Sequence, residues 1–403
     1  MNTASSASPT LPAATSQAGQ SRCRFKLAVK FTRGMTNSLF DDQQKIGSMR
    51  PYHYIAPEPN CHRELQFAAA VIAERPLLHQ YEWRLRHVRS LSENAMQRLP
   101  KTPLCFEFSR HKEPKLRIQP GDTIEVESED AFCGQIRTDD DRRVLTFEPN
   151  SNPVNGPIYV EGAEPHDTLA VTIHEIRPAS GQAATRTAAP KQLCQWLGDN
   201  PPHGVHVCPI ADGVIHWSDQ LTIPYTPMLG CIGTAPHWGV PTTGPAGSYG
   251  GNLDIREVCP GNTVYLPVFV TGGYLYLGDA HAAQGHGELS ATGLEMPAES
   301  VITVDLSKGQ SIPGIRIESP DEIMAVATGQ PLERSVANAY AWLILFMEAE
   351  YGWDRWHFFV ILTATAEICP LSLHAALPIS TSYWAAGTHF AKFVELSRLE
   401  RAR

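Results

Sequence analysis

Long hydrophobic runs are missing from this chain. The longest, Trp342 to Met347 and Phe358 to Leu362, fall far short of the ~18 apolar residues that a membrane-spanning helix takes. A surplus of positive charge is missing too. Lys and Arg number 33 against 42 Asp and Glu, a formal net charge of −9. That balance excludes non-specific nucleic-acid binding, which needs basic surface to displace counterions. Paired cysteines are absent: none of the nine (Cys23, Cys61, Cys105, Cys133, Cys194, Cys208, Cys231, Cys259, Cys369) forms a CxxC pair, so the spaced zinc and redox motifs are excluded. An odd cysteine count with no secretory signal points to reduced thiols and a cytoplasmic location. Phosphate-binding glycine loops and the GxSxG nucleophile elbow are also absent.

Acidic residues are missing before Asp41, whereas Arg22, Arg24, Lys26, Lys30 and Arg33 are present in a Ser/Ala/Thr/Pro-rich start. Residues 1–100 therefore read as an extension, partly disordered or translated from upstream of the true start, with Met35, Met49 and Met96 as later starts. Phe67 to Arg75 and Leu78 to Leu99 can form short helices there. Residues 369–379, with Pro370 and Pro378, resemble the peptide obtained when sequencing-adapter DNA is translated. Residues 380–403 form a tail.

The chain of 403 residues, at ~150 per domain, has room for a full core. Gly (30) and Pro (32) together exceed the ~12% average, which implies many turns and short strands. Thr123 to Glu127 alternates polar and apolar with period two, as do Leu169, Val171 and Ile173, the pattern of half-buried strands. Thr263 to Val270 reads as a strand buried on both faces, with Pro267 arguing for an edge or a bulge. Tyr274 to Leu277 and Val301 to Leu306 are further strands. Val336, Tyr340, Leu343 and Met347 share one helical face, Gly352 can end that helix, and Trp353 to Glu367 can form a second. The expected fold is mainly β with an α+β C-terminal part: a β-sandwich or barrel core followed by C-terminal helices.

Chemistry concentrates in Gly278-Asp279-Ala280-His281-Ala282-Ala283-Gln284-Gly285-His286-Gly287-Glu288. Small residues there let backbone and ligand approach closely, and Asp279 and His281, spaced i, i+2, share a face of an extended segment. A carboxylate and an imidazole on one face are suitable metal ligands. Glu288 is placed to act as a base toward water. Asp254 follows the Gly250-Gly251 turn and offers another oxygen, or caps local backbone. Glu161 is a candidate inward carboxylate at the end of the Ser151 to Gly162 stretch.

These segments together resemble the acetamidase/formamidase family, over about Phe106 to Ile368. The carriers are Asp130 to Ile136, Asn152 to Pro165, Pro227 to Gly233, Gly250 to Asp254, and the Gly278 to Glu288 block, which is close to a GDxHAAQGxGE signature. The resemblance implies a catalytic region over 101–368 that hydrolyses short-chain amides to acid and ammonia. It implies a metal, zinc as the usual expectation with calcium also suited to the oxygen donors, and a homo-oligomer. Carried over, Asp254, Asp279 and His281 are metal ligands. Glu288 is the first acid/base candidate and Glu161 the second. Gln135 and Asn152 orient the amide, and His286 is counted with them as substrate-binding. Two departures stand out: His286 where many relatives have Asp, and Cys105 where members usually carry His. A lactamase or ureide hydrolase on the same site, or a non-catalytic small-amide-binding protein, is the rival expectation.

Overall fold

A computed structural model describes residues 96–367 except 147–149, 190, 203 and 330, with the side chains of 192, 332 and 363–367 excepted. Outside that range it gives only the short backbone strands Phe25–Lys26, Ala28–Lys30 and Lys392–Ser397. The Phe67 to Arg75 helix, the 369–379 segment, most of the tail and all but the end of the expected Leu78 to Leu99 helix lie outside the described residues; that end, Gln97–Leu99, is a strand rather than helix.

The strands that build the site are, in chain order, β1 (Asp122–Ser128), β2 (Val154–Val160), β3 (Thr168–Pro178), β4 (Gln182–Arg186), β5 (Met228–Thr234) and β6 (Gly250–Asn252). Then come β7 (Thr263–Pro267), β8 (Leu275–His281), β9 (Glu295–Met296), β10 (Ala298–Ser307), β11 (Ile315–Glu318) and β12 (Glu322–Thr328). Two helices follow, α1 (Leu332–Tyr351) and α2 (Arg355–Thr365). The architecture is mainly β with its two long helices late in the chain, as the alternation and the late helical periodicity imply, and a short helix over Lys191–Leu197.

One sheet runs β12-β11-β7-β3-β10-β1 with Gln97–Leu99 parallel on its far edge. The other has β8 at its heart, flanked by β5, β2 and β9, and continues through β4 to the hairpin strands between 205 and 224. A continuous apolar core takes Ile124, Leu169, Val171, Ile173 and Val264 from the first sheet and Ile158, Leu229, Ile232, Leu275 and Leu277 from the second. That is sheet-on-sheet packing, with the alternating inward residues supplying the core. α1 lays Leu343 and Met347 against Ala325 and Ala327 of β12, with Val336 and Tyr340 beside them. Gly352 closes the helix in the left-handed conformation (φ 65°), which costs glycine nothing.

Two further expectations change. β7 is an internal strand between β11 and β3, and Pro267 is its last residue rather than an edge or bulge marker. A proline that ends a ladder has no further N–H to supply. The strand beginning near Tyr274 runs on to His281, so the site block starts inside a strand. One edge of β8 pairs with β5 along its length, from Thr234↔Leu275 to Met228↔His281. The other edge is forked. It pairs with β2 as far as Gly278↔Val154 and resumes with β9 at Ala280↔Met296 and His281↔Glu295. Asp279 sits at the fork with φ 56°, a conformation Asp adopts more readily than most residues.

Candidate active site

The fork brings acidic side chains together. Residues directly opposite in a sheet share a face, so the His281↔Glu295 pair puts imidazole and carboxylate side by side, with Nε2 3.1 Å from Glu295 Oε2. Asp279 Oδ1 lies 3.7 Å from the same Nε2. From the other side of the ring, Nδ1 is 2.8 Å from Gln284 Oε1, and Gln284 Nε2 donates to the Asp254 carbonyl at 2.8 Å. That orientation makes Nδ1 the donor and aims Nε2 at the carboxylates. Two sets of ligand atoms lie within 4.8 Å of one another: Asp254, His281 and Glu288, and Asp279, His281 and Glu295. His281 and Asp279 are each 1% exposed, and Glu288, a half-buried residue, is the most exposed member of the cluster.

The backbone makes room for this cluster through missing Cβ atoms. A Cβ on Gly230 would stand 2.6 Å from Asp279 Oδ2 and 2.9 Å from Asp254 Oδ1, and one on Gly293 would stand 2.5 Å from His281 Nδ1. Real Cβ atoms do not approach so closely, so the carboxylates and ring occupy space that only glycine leaves open.

Electrostatically the cluster is unbalanced. Burial pushes the Glu295 carboxyl up to about 7, with the His281 imidazolium opposing and Asp279 adding to the rise. Burial, then the Asp254 charge, holds Glu288 well above the usual carboxylate range. Burial alone would lower His281, but Glu295 and Asp279 outweigh it and raise its proton affinity well above normal. Two buried oxygens, Asp279 Oδ1 and Glu295 Oε2, accept no hydrogen bond; the 3.1 Å approach of His281 Nε2 to the latter is a charge contact rather than an aligned bond. Buried carboxylate oxygens without donors are costly. A cation among them would relieve that cost, so the donor set fits a divalent metal: one imidazole nitrogen with several carboxylate oxygens suits zinc.

The acetamidase/formamidase family model matches residues 110–244 and 239–320, a span that contains every residue of the cluster. The chain belongs to the acetamidase/formamidase family. Among similar curated proteins, the acetamidase of Mycolicibacterium smegmatis is 26% identical over 260 residues, 48% of this chain and 63% of that protein. The formamidase of Methylophilus methylotrophus is 29% identical over 249 residues, 47% of this chain and 61% of that protein. The chain thus spans less than two thirds of the length of these relatives. The solved acetamidase from Bacillus halodurans superposes with a TM-score of 0.66 at 28% identity, over 74% of this chain and 97% of that one. The acetamidase from Yersinia enterocolitica gives 0.67 at 27% identity, over 77% and 94%.

Of the residues read from the acetamidase/formamidase pattern, the structure gathers Asp254, Asp279, His281 and Glu288. It places Asn152 beside them, with Nδ2 donating to Asp279 Oδ2 at 3.1 Å. Glu161 stands elsewhere: its carboxylate pairs with Arg117 at 3.2 Å on the surface just past the end of β2. Gln135 spends its Oε1 on the Val144 N–H at 2.7 Å, and His286 is exposed on the loop between β8 and β9. Cys105 lies in an apolar cluster with Phe108, Val154, Tyr276 and Cys231.

Two charged members of the site, Glu295 and Arg186, went unread in the sequence. Glu295, in Gly293-Leu294-Glu295-Met296, is an acidic residue inside a short apolar run, the one signal that marks it. Arg186 is the other. Ala184 is paired with Glu295, and strand alternation puts Arg186 on the same face. Its Nε donates to Thr292 Oγ1 at 2.9 Å. Burial lowers it to about 10 while the Glu295 and Glu288 charges act to raise it. Gly230, Gly293, Gln284 and Cys231 complete the surround.

Proposed function

We propose that this protein hydrolyses short-chain carboxylic amides to the acid and ammonia, using a zinc ion held by His281 with Asp254 and Asp279, Glu295 adding a further oxygen. The observation that carries this reading is the buried cluster of one imidazole and four carboxylates, two of whose oxygens accept no hydrogen bond. When bound, the ion supplies Lewis acidity, which acidifies water and polarises an amide carbonyl.

The chain's own groups supply the rest. Gln284 fixes the ring of His281, keeping Nε2 directed at the carboxylates. Glu288 is the half-buried member, so it can reach both water and substrate. Its raised proton affinity suits a group that takes a proton from the attacking water and returns it to the departing nitrogen. Phe132, Ile136 and Ala184 form a small apolar cluster, and Ala184 lies opposite Glu295 on the site face, a suitable wall for a short acyl chain.

The test is ammonia release from formamide, acetamide and propionamide by protein stripped with a chelator and reconstituted with zinc. Zinc-dependent release is expected. Ring opening of a lactam without ammonia, or binding of an amide without turnover, would replace this reading.

A further inference from the structure

We infer that Asn152 and Cys231 are positioning residues that clamp one oxygen of Asp279 so that the other is presented to the site. The inference rests on the metal reading above. The two oxygens of Asp279 have opposite surroundings. Oδ2 accepts from Asn152 Nδ2 at 3.1 Å and from Cys231 Sγ at 3.5 Å. Oδ1 accepts nothing and lies 3.7 Å from His281 Nε2. The donors come from two different parts of the fold. Cys231 is in β5, fully buried, with its sulfur also near Asn252 Oδ1 at 3.3 Å and the Thr243 carbonyl at 3.6 Å. Asn152 precedes β2 with φ 57°, and its own N–H is tied to the Ala131 carbonyl at 3.4 Å.

Geometry explains why the clamp is needed. Asp279 lies where β8 changes partners, between the β2 and β9 pairings. Its left-handed backbone, unlike a regular strand residue, does not fix the direction of the side chain by alternation. The Gly230 space admits Oδ2, and the amide and thiol hold it there. Outer-shell donors of this kind orient a ligating carboxylate, and their loss costs roughly 10–100-fold in metal affinity. This role differs from the substrate-orienting one that the family resemblance implies for Asn152.

The experiment compares zinc affinity of the full chain and its variants by competition with a chromophoric chelator, together with the cobalt(II) absorption spectrum. Asn152→Ala and Cys231→Ala are each expected to weaken zinc about 10–100-fold and to shift the cobalt bands, because Asp279 is no longer held. Cys231→Ser keeps a donor and is expected to restore most of the affinity. The unfolding midpoint of zinc-free protein serves as the control for folding. If Cys231→Ala does not fold, Asn152→Ala and Cys231→Ser still decide. Wild-type zinc affinity and an unchanged cobalt spectrum in Asn152→Ala, with only KM for the amide raised, would overturn the clamp and leave the amidase reading standing. A wild-type chain that takes up no zinc would overturn the metal reading and the clamp with it.

Discussion

Asp167 and Asp279 are both buried aspartates in the same protein, and they are treated in opposite ways. Asp167 immediately precedes β3 and has both oxygens occupied. Oδ2 takes Lys308 Nζ at 2.6 Å and the Glu164 N–H at 2.7 Å, and Oδ1 takes the Gly309 N–H at 2.7 Å. Burial would raise it, but Lys308 and the two N–H groups prevail and hold it below the usual carboxylate range. Asp279 has donors on one oxygen only, and its neighbours are Asp254, Glu288 and Glu295 rather than a lysine. A carboxylate that serves the fold is saturated with partners. One kept short of donors and crowded with like charges stores unfavourable energy, which a bound cation or reacting group can release.

The sharpest way to break this contrast is through chemistry. Glu288→Gln keeps the shape of the side chain but cannot carry the proton, so turnover should fall about 10²–10⁴-fold at equal zinc content, measured as kcat for ammonia release. Full turnover in that variant would remove Glu288 from the acid/base role.

Next in size is stability. Asp167→Asn loses charge-assisted bonds in a buried place and should cost about 1–3 kcal/mol in urea unfolding. Asp279→Asn removes a like charge from the cluster, so the metal-free protein should be no less stable than wild type, while its stabilisation by added zinc is lost. Equal destabilisation by the two substitutions would mean that Asp279 is an ordinary structural acid.

pH separates the two regions in sign. The Glu295 carboxyl sits at about 7, above its ordinary 4.5, so folding favours its protonated form. Its contribution is fully present below pH 4.5 and is lost as pH rises through about 7. Asp167 is lowered, so its contribution is present above pH 3.8 and is lost as pH falls through its folded value. Metal-free protein should therefore lose stability between pH 5 and 8. Zinc should reverse that slope, because metal ligands must be deprotonated. Unfolding midpoints across pH, with and without zinc, read both signs; a flat metal-free profile over that range would show that the cluster stores no charge repulsion.

What was legible in the sequence follows from distance along the chain. Asp279, His281 and Glu288 lie within ten residues of one another among glycines and alanines, and that density is visible without coordinates. The strands over 123–127 and 169–173 announced themselves by alternation, and α1 by its apolar face. Glu295 was hidden because its place depends on the β8–β9 pairing across a loop, and nothing local says that a lone glutamate in an apolar run will face His281. Gly230 was hidden for a related reason: its role is the absence of a Cβ, and only the approach of two carboxylates gives that absence meaning. The reach of β8 to His281 was masked by Gly278 and by the left-handed Asp279, both of which read as loop.

Glu161 gives the smallest effect and the control for the comparison. Read along the strand, it ends a run of alternating residues and looks like another inward acid. The chain turns just after Val160, however, and the side chain emerges beside Arg117, whose guanidinium also lies over the Tyr159 ring at 4.1 Å. Both partners of the 3.2 Å pair are more than a third exposed, so water screens the attraction and the pair adds little to stability. Glu161→Gln should therefore leave both ammonia release and the unfolding midpoint unchanged. A large loss of turnover at unchanged stability would place this carboxylate in the reaction, and the division between saturated and unsaturated acids would no longer identify the acids that do chemistry.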